Sequence, residues 1–238
     1  MNSIAGVLSH SVSPRIALIA LATLASSSFA QEQPKPAPAA AATAAPVQKY
    51  KTNLKGPADA PIKVVEFADF MCPGCRAASG ALREYFALQG ADINLTFKNF
   101  PLEKACNPGL GQTIHNGACE LATGAICASE LGAFWAYHDR IFSRAWEVAT
   151  RQDVIDNGVA IGLNKAKFEA CLASPEAKSK LAIQVKEGFE TMVQVTPTLV
   201  VNGKKLNSPS EFSNAVETER KKLAGAPAPT PPPPPAKK

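Results

Sequence analysis

Histidine is scarce in this sequence: three in 238 residues, at positions 10, 115 and 138. No two of them stand at the close spacing of a metal-binding pair, and there is a single Cys-x-x-Cys, Cys72 to Cys75. A tetrahedral zinc site needs four ligands, usually from two such pairs, so no metal is implied. Excess charge is also small. Lys+Arg 25 against Asp+Glu 20 leaves +5, too mild a positive balance to imply nucleic acid. The N-terminal apolar run, the ten residues Ile16 to Ala25, is too short to cross a bilayer. No cysteine follows that run, so no lipid anchor is indicated.

What the sequence does have is a corner. The apolar, β-branched run Ile62 to Phe67 leads into Cys72-Pro73-Gly74-Cys75, and a helix-patterned run, Arg76 to Leu88, leads away. Cys72 therefore stands at a helix mouth, where unpaired N–H groups and the helix dipole favour an anion. A thiolate there has a lowered pKa and is a nucleophile at neutral pH. Pro73 suits the first helical position, because the N–H it lacks would have had no partner. Cys75, three residues on, shares the helix face and is within disulfide reach. Two core cysteines would not explain Pro-Gly at this corner, so the spacing is read as a redox pair.

Along the chain, Met1 to Ala30 reads as a secretory signal. It has Arg15, the apolar core and a small-x-small site at Ser28-Phe29-Ala30. Residues 31–48 are nearly all Ala, Pro and Gln, a spacer with little to bury. Residues 225–238 contain the run Pro231 to Pro235, expected to be polyproline II or disordered. Residues 49–224 are left for one domain with a real core. Ile62 to Phe67 is expected to be a buried central strand, and Ile93 to Phe100 alternates as a second one. Together with the helix between them they make a βαβ unit.

Residues 101–190 are mostly helix-patterned. One stripe holds Ile114, Ala118, Leu121, Ala122, Ala125 and Ile126. A second holds Phe134, His138, Ile141 and Phe142, and a third Leu181, Val185, Phe189 and Met192. His115 and His138 fall among these stripes and are read as packed or surface residues without a catalytic role. Thr198 to Val201 is a further strand, turned by Asn202-Gly203 into Lys204-Lys205-Leu206. Ser208-Pro209-Ser210-Glu211 has the form of a capping box for a last helix, with Glu217 and Lys221 four apart on it and Gly225 at its end.

Glu66-Phe-Ala-Asp-Phe-Met-Cys-Pro-Gly-Cys75, together with Val195-Thr-Pro-Thr-Leu-Val-Val-Asn-Gly203, resembles the DsbA-like branch of the thioredoxin superfamily over roughly residues 50–224. The segment Cys106-Asn107…His115…Cys119…Cys127 is further similar to thioredoxin-type proteins that partner or fuse with vitamin K epoxide reductase-like membrane enzymes. The resemblance implies an α/β, thioredoxin-like fold with a central β-sheet and an inserted all-helical subdomain. It places a buried acid near Glu66, to exchange a proton with Cys75. It also implies a cis Pro197, with Thr196 and Pro197 shaping a groove where an extended peptide adds as a strand.

An exported protein sits in an oxidising compartment, where six cysteines pair. Cys106, Cys119, Cys127 and Cys171 allow three pairings; joining nearest partners gives Cys106–Cys119 and Cys127–Cys171. The function implied is a periplasmic thiol:disulfide oxidoreductase that makes disulfides in secreted or envelope proteins. Cys72 is the exchanging sulfur and Cys75 the resolving one, and no cofactor is needed. Its expected partners are reduced or unfolded secreted proteins and a DsbB-like or vitamin K epoxide reductase-like membrane reoxidant. A monomer is expected. The alternatives are a periplasmic reductase or isomerase, and a non-catalytic binding module of the same fold.

Overall fold

The computed structural model describes residues 53–225. The signal, the spacer and the proline-rich tail expected at the two ends lie outside the described residues, apart from Gly225, with which the last helix closes. A five-stranded mixed sheet has the order β1-β3-β2-β4-β5, from β1 (Leu54–Lys55), β2 (Ile62–Ala68), β3 (Ile93–Asn99), β4 (Thr198–Val201) and β5 (Lys204–Lys205). β2 is the middle strand. It runs parallel to β3 and antiparallel to β4, and Ile62, Val64, Phe67 and Ala68 are buried along it. A short strand covered on both faces reads as apolar without alternation, and that is why Ile62 to Phe67 could be recognised. β3 is less alternating than its sequence: Asn94 is buried too, its amide donating to the Pro57 carbonyl at 2.7 Å.

The helix α1 (Pro73–Gln89) crosses from β2 to β3. It begins at Pro73, earlier than the periodic run at Arg76, with Cys72 as its N-cap. Five helices lie between β3 and β4: α2 (Ala118–Glu130), α3 (Phe134–Phe142), α4 (Arg151–Ala160), α5 (Lys165–Ala173) and α6 (Pro175–Glu190). α2 is buried on nearly every side, from Leu121 through Ala128, as expected of a helix others surround. Its partners are α3, α4, α5 and α6. Disulfides Cys106–Cys119 and Cys127–Cys171 tie α2 to the loop before it and to α5. On the chain-entropy account, closing loops of these lengths stabilises by about 3 and about 4 kcal/mol.

Several sequence expectations need correction. Ile114 is not helical: it is 58% exposed in the loop before α2, which starts only after Gly117 takes a left-handed φ of 98°. A side chain at Gly117 would strike the Ala149 carbonyl. The third stripe ends early. α6 stops at Glu190, and Met192, at φ 56°, is 68% exposed. Phe189 is 41% exposed and lies edge-on to Phe100, 5.4 Å between ring centres. α4 went unread, because Val154 and Ile155 are its only large apolar buried residues. It is started by a capping box, Thr150 with Asp153.

At the C-terminal end Ser208 caps a short 3₁₀ turn, Pro209–Glu211, and Glu211 reaches the Asn207 N–H, not that of Ser208. In the last helix, α7 (Phe212–Gly225), Glu217 pairs with Arg220 at 2.6 Å in place of Lys221. The guanidinium is drawn there because it also holds Asp92 at 2.7 Å.

Candidate functional site: a redox corner at the mouth of α1

Strand β2 ends at Ala68, and after four intervening residues the chain starts a helix at Pro73. Asp69 makes that turn. It is buried, and its Oδ1 accepts from the Met71 N–H at 2.6 Å, an Asx-type closure over two residues. Its backbone carbonyl accepts from the Cys72 N–H at 3.1 Å. Its Oδ2 accepts from the Leu102 N–H at 2.7 Å and meets His115 Nδ1 at 2.8 Å. One carboxylate thus fastens the cysteine turn to the loop that leads into the helical insertion. Asp69 was given no role from sequence, although an Asp two residues before a tight turn is a recognisable signal.

Cys72 and Cys75 are both free thiols here. Cys72 keeps a sliver of exposure, 8%, and Cys75 none. The Cys72 Sγ accepts from the Cys75 N–H at 3.4 Å and lies 3.3 Å from the Thr196 carbonyl. The Cys72 thiol is lowered to about 5. The Cys75 side chain, as a hydrogen-bond donor, contributes most, followed by Thr196 and the backbone N–H groups of Cys75 and Gly74; partial burial opposes them. The Thr196 hydroxyl is itself buried with no other protein partner, so it is free to turn to the sulfur. For Cys75 the direction is reversed. Burial pushes its pKa far up, and the neighbouring Cys72 and Glu66 charges push the same way.

The Thr196–Pro197 peptide bond is cis, and it brings this segment against the mouth of α1. A side chain added at Gly74 would stand 3.4 Å from Pro197 Cδ and 3.7 Å from Cys72 Sγ, an ordinary contact. Beside the corner runs an apolar groove of about 450 Å³, lined by Gly74, Ala77, Ala78, Tyr85, Leu199 and Phe212.

Glu66 lies on β2 with 1% exposure, and its Oε1 has no protein hydrogen-bond partner. Desolvation raises its carboxyl to about 8. The His115 imidazole is raised above its ordinary pKa chiefly by the Asp69 hydrogen bond; partial burial opposes this, and the Asp69 and Cys72 charges act in the same direction as the bond. The two histidines read from sequence as packed or surface residues both meet carboxylates: His115 meets Asp69, and His138 meets Asp139 at 2.8 Å. No group of metal-ligating side chains is found among the described residues.

The family described as Thioredoxin matches residues 48–218. This chain belongs to the thioredoxin family. The thioredoxin fold is also what solved structures share with it. A thioredoxin-like oxidoreductase from Silicibacter pomeroyi superposes with TM-score 0.61 at 20% identity, over 74% of this chain and 95% of that one. Oxidised BdbD from Bacillus subtilis gives 0.59 at 22%, over 74% and 94%. DsbA from Xylella fastidiosa gives 0.55 at 18%, over 71% and 90%. These likenesses show the thioredoxin fold, an α/β fold with helices inserted in the sheet's connections.

Among curated proteins, the Na(+)/H(+) antiporter NhaA 3 of Salinispora tropica is 30% identical over 164 residues. The match takes in 69% of this thioredoxin-family chain but 24% of that protein. NhaA 1 of Mycolicibacterium gilvum is 27% identical over 173 residues, 72% of this chain and 26% of that protein. The chain spans about a quarter of the length of these relatives. No helix among the described residues is long and apolar enough to cross a membrane.

Proposed function

We propose that this protein is an exported thiol:disulfide oxidoreductase that forms disulfides in secreted and envelope proteins in the periplasm. The observation that carries the reading is the split between the two sulfurs. Cys72 is held as a thiolate by surrounding donors, its pKa lowered to about 5, while Cys75 behind it is kept protonated by burial.

In the oxidised protein a substrate thiolate attacks Cys72 Sγ. The Cys72–Cys75 bond breaks, and Cys75 leaves as a thiolate that takes a proton from Glu66. A second substrate thiolate then attacks the substrate sulfur of the mixed disulfide. Cys72 departs as a thiolate, and its low pKa makes it a good leaving group. The substrate has lost two electrons and gained a disulfide; the protein holds the dithiol. A membrane reoxidant, DsbB-like or vitamin K epoxide reductase-like, then removes the two electrons. Thr196 and Pro197 present backbone to an extended substrate chain, and the apolar groove beside Gly74 suits the side chains of an unfolded one. The protein acts as a monomer and needs no cofactor.

The test is direction. The purified oxidised protein is expected to oxidise a reduced two-cysteine peptide within one turnover, and the Cys72–Cys75 pair is expected to be mostly oxidised in cells. A pair found mostly reduced in cells would replace this reading with a reductase or isomerase. No exchange in either direction, in the peptide assay or with insulin, would leave a binding module.

A further inference from the structure

Behind Cys75 the strand β2 and the helices α1 and α3 leave a narrow cavity with room for about one water. Its lining includes Glu66, Ser79 and Arg83, then His138 and Asp139, with Lys55 from β1. Two buried polar atoms on these walls have no protein partner: Glu66 Oε1 and His138 Nε2. Both residues are more than nine-tenths buried, at 1% and 4% exposure. The other ring nitrogen, Nδ1, is 2.8 Å from the Asp139 carboxylate, whose side chain is 43% exposed. The Trp135 indole N–H on the same wall is already given to the Leu54 carbonyl.

The two orphaned atoms are chemically complementary. The Asp139 carboxylate accepts from Nδ1, so the neutral ring carries its proton there and leaves Nε2 as an acceptor. Burial, aided by Lys55 and Arg83, keeps the ring neutral against the pull of Asp139. Glu66 is a protonated acid at neutral pH and has a proton to give. A water between them would have one donor and one acceptor facing it, the two polar partners a buried water needs at the least.

We propose that His138 and Asp139 form the proton route between the active site and solvent, joined to the Glu66 carboxyl through a single water in this cavity. It rests on the reading of Glu66 as the proton partner of Cys75. During reoxidation Glu66 releases its proton to the water and takes the one from the Cys75 thiol. The water passes a proton to Nε2, and the Nδ1 proton goes to Asp139 and bulk. The ring is left protonated at Nε2. In the next substrate oxidation that proton returns through the water to Glu66, and on to the departing Cys75 thiolate, while Nδ1 is refilled from the Asp139 side. One proton moves in each half-reaction, and no electron crosses the cavity. His138 touches neither substrate nor sulfur and is a positioning and relay residue.

The experiment follows single-turnover oxidation of a reduced two-cysteine peptide from pH 5 to 9, in H₂O and D₂O. His138→Gln fills the same site without a second transferable ring nitrogen. It is expected to slow the step that releases Cys75 by tenfold or more and to enlarge the solvent isotope effect. Cys72 alkylation should keep its midpoint. A folded His138→Gln with wild-type rate and isotope effect overturns the relay. Glu66→Gln separates the layers: if it slows the step and His138→Gln does not, only the relay falls. If neither does, the role of Glu66 falls first. Should His138→Gln fail to fold, Asp139→Asn takes its place, with the same isotope signature expected and wild-type values again overturning the proposal.

Discussion

Two sulfurs three residues apart sit in opposite surroundings. In front of Cys72 are donors: the N–H groups at the mouth of α1 and the Thr196 hydroxyl, with His115 held behind them by Asp69. Behind Cys75 there is a sheet, a carboxyl without a partner and no exposure. The same turn of helix thus serves one sulfur as a field and the other as a wall. Strand β2 creates the difference, because its end supplies the turn residue Asp69 and its interior supplies Glu66.

The comparison can be broken most severely by deleting one side. Cys72→Ser should abolish disulfide exchange altogether. Cys75→Ser should leave exchange half done, accumulating mixed disulfides through Cys72, read as a mass shift on non-reducing gels. Equal trapping by the two variants would erase the asymmetry. The next largest effect is on alkylation of the reduced protein. Cys72 should react with a midpoint near the 5 to which its thiol is lowered, and Cys75 should stay unmodified at pH 7. Labelling of Cys75 first would reverse the assignment.

Glu66 sharpens the rear side through stability. Its folded pKa of about 8 lies above the ordinary 4.5, so the native state holds more protons between those values. The burden it places on folding is absent at low pH, grows as pH rises from 4.5, and is complete above 8. Glu66→Gln should therefore be more stable than the parent by a few kcal/mol at pH 8 and no more stable at pH 4, measured by urea unfolding. A gap independent of pH would mean that Glu66 is ionised in the fold.

The front side is sharpened by adding a donor. Gly74 offers no side chain to the Cys72 thiolate, and a Cβ fits there at ordinary contact distance. Gly74→His should raise the reduction potential of the pair by favouring the thiolate, as measured against glutathione. An unchanged or lower potential counts against donor control. The smallest effect belongs to His115→Gln. Removing an imidazole whose pKa is raised in part by the Cys72 charge should lift the Cys72 alkylation midpoint slightly and leave the Cys75 side untouched.

The sheet and its crossover were readable because burial on both faces writes itself into Ile62 to Phe67, and because Asn202-Gly203 allows little but a turn. Helix α4 was not readable by apolar period; its start is carried by the polar pair Thr150 and Asp153. The carboxylate partners of the two histidines were not readable for a different reason. Nothing near His115 in sequence points to Asp69, 46 residues away, and nothing near His138 points to a cavity walled by β2 and α1. Residue type and spacing carry chemistry made within one element. Chemistry made between elements waits for the fold to bring its parts together.

The cysteine connectivity has a consequence for how the chain is made. Numbered from the N-terminus, the proposed redox pair is 72 with 75, both free thiols in this structure, and the disulfides are 106 with 119 and 127 with 171. None crosses or encloses another. A chain that emerges N-terminus first therefore meets its cysteines already sorted, since each second partner appears before any cysteine of the next pair. A bond made on emergence between the newest cysteine and the last one still unpaired is then the proposed redox bond first and the two structural disulfides after it. Nothing made early has to be undone, and the chain needs no disulfide exchange to acquire its own bonds.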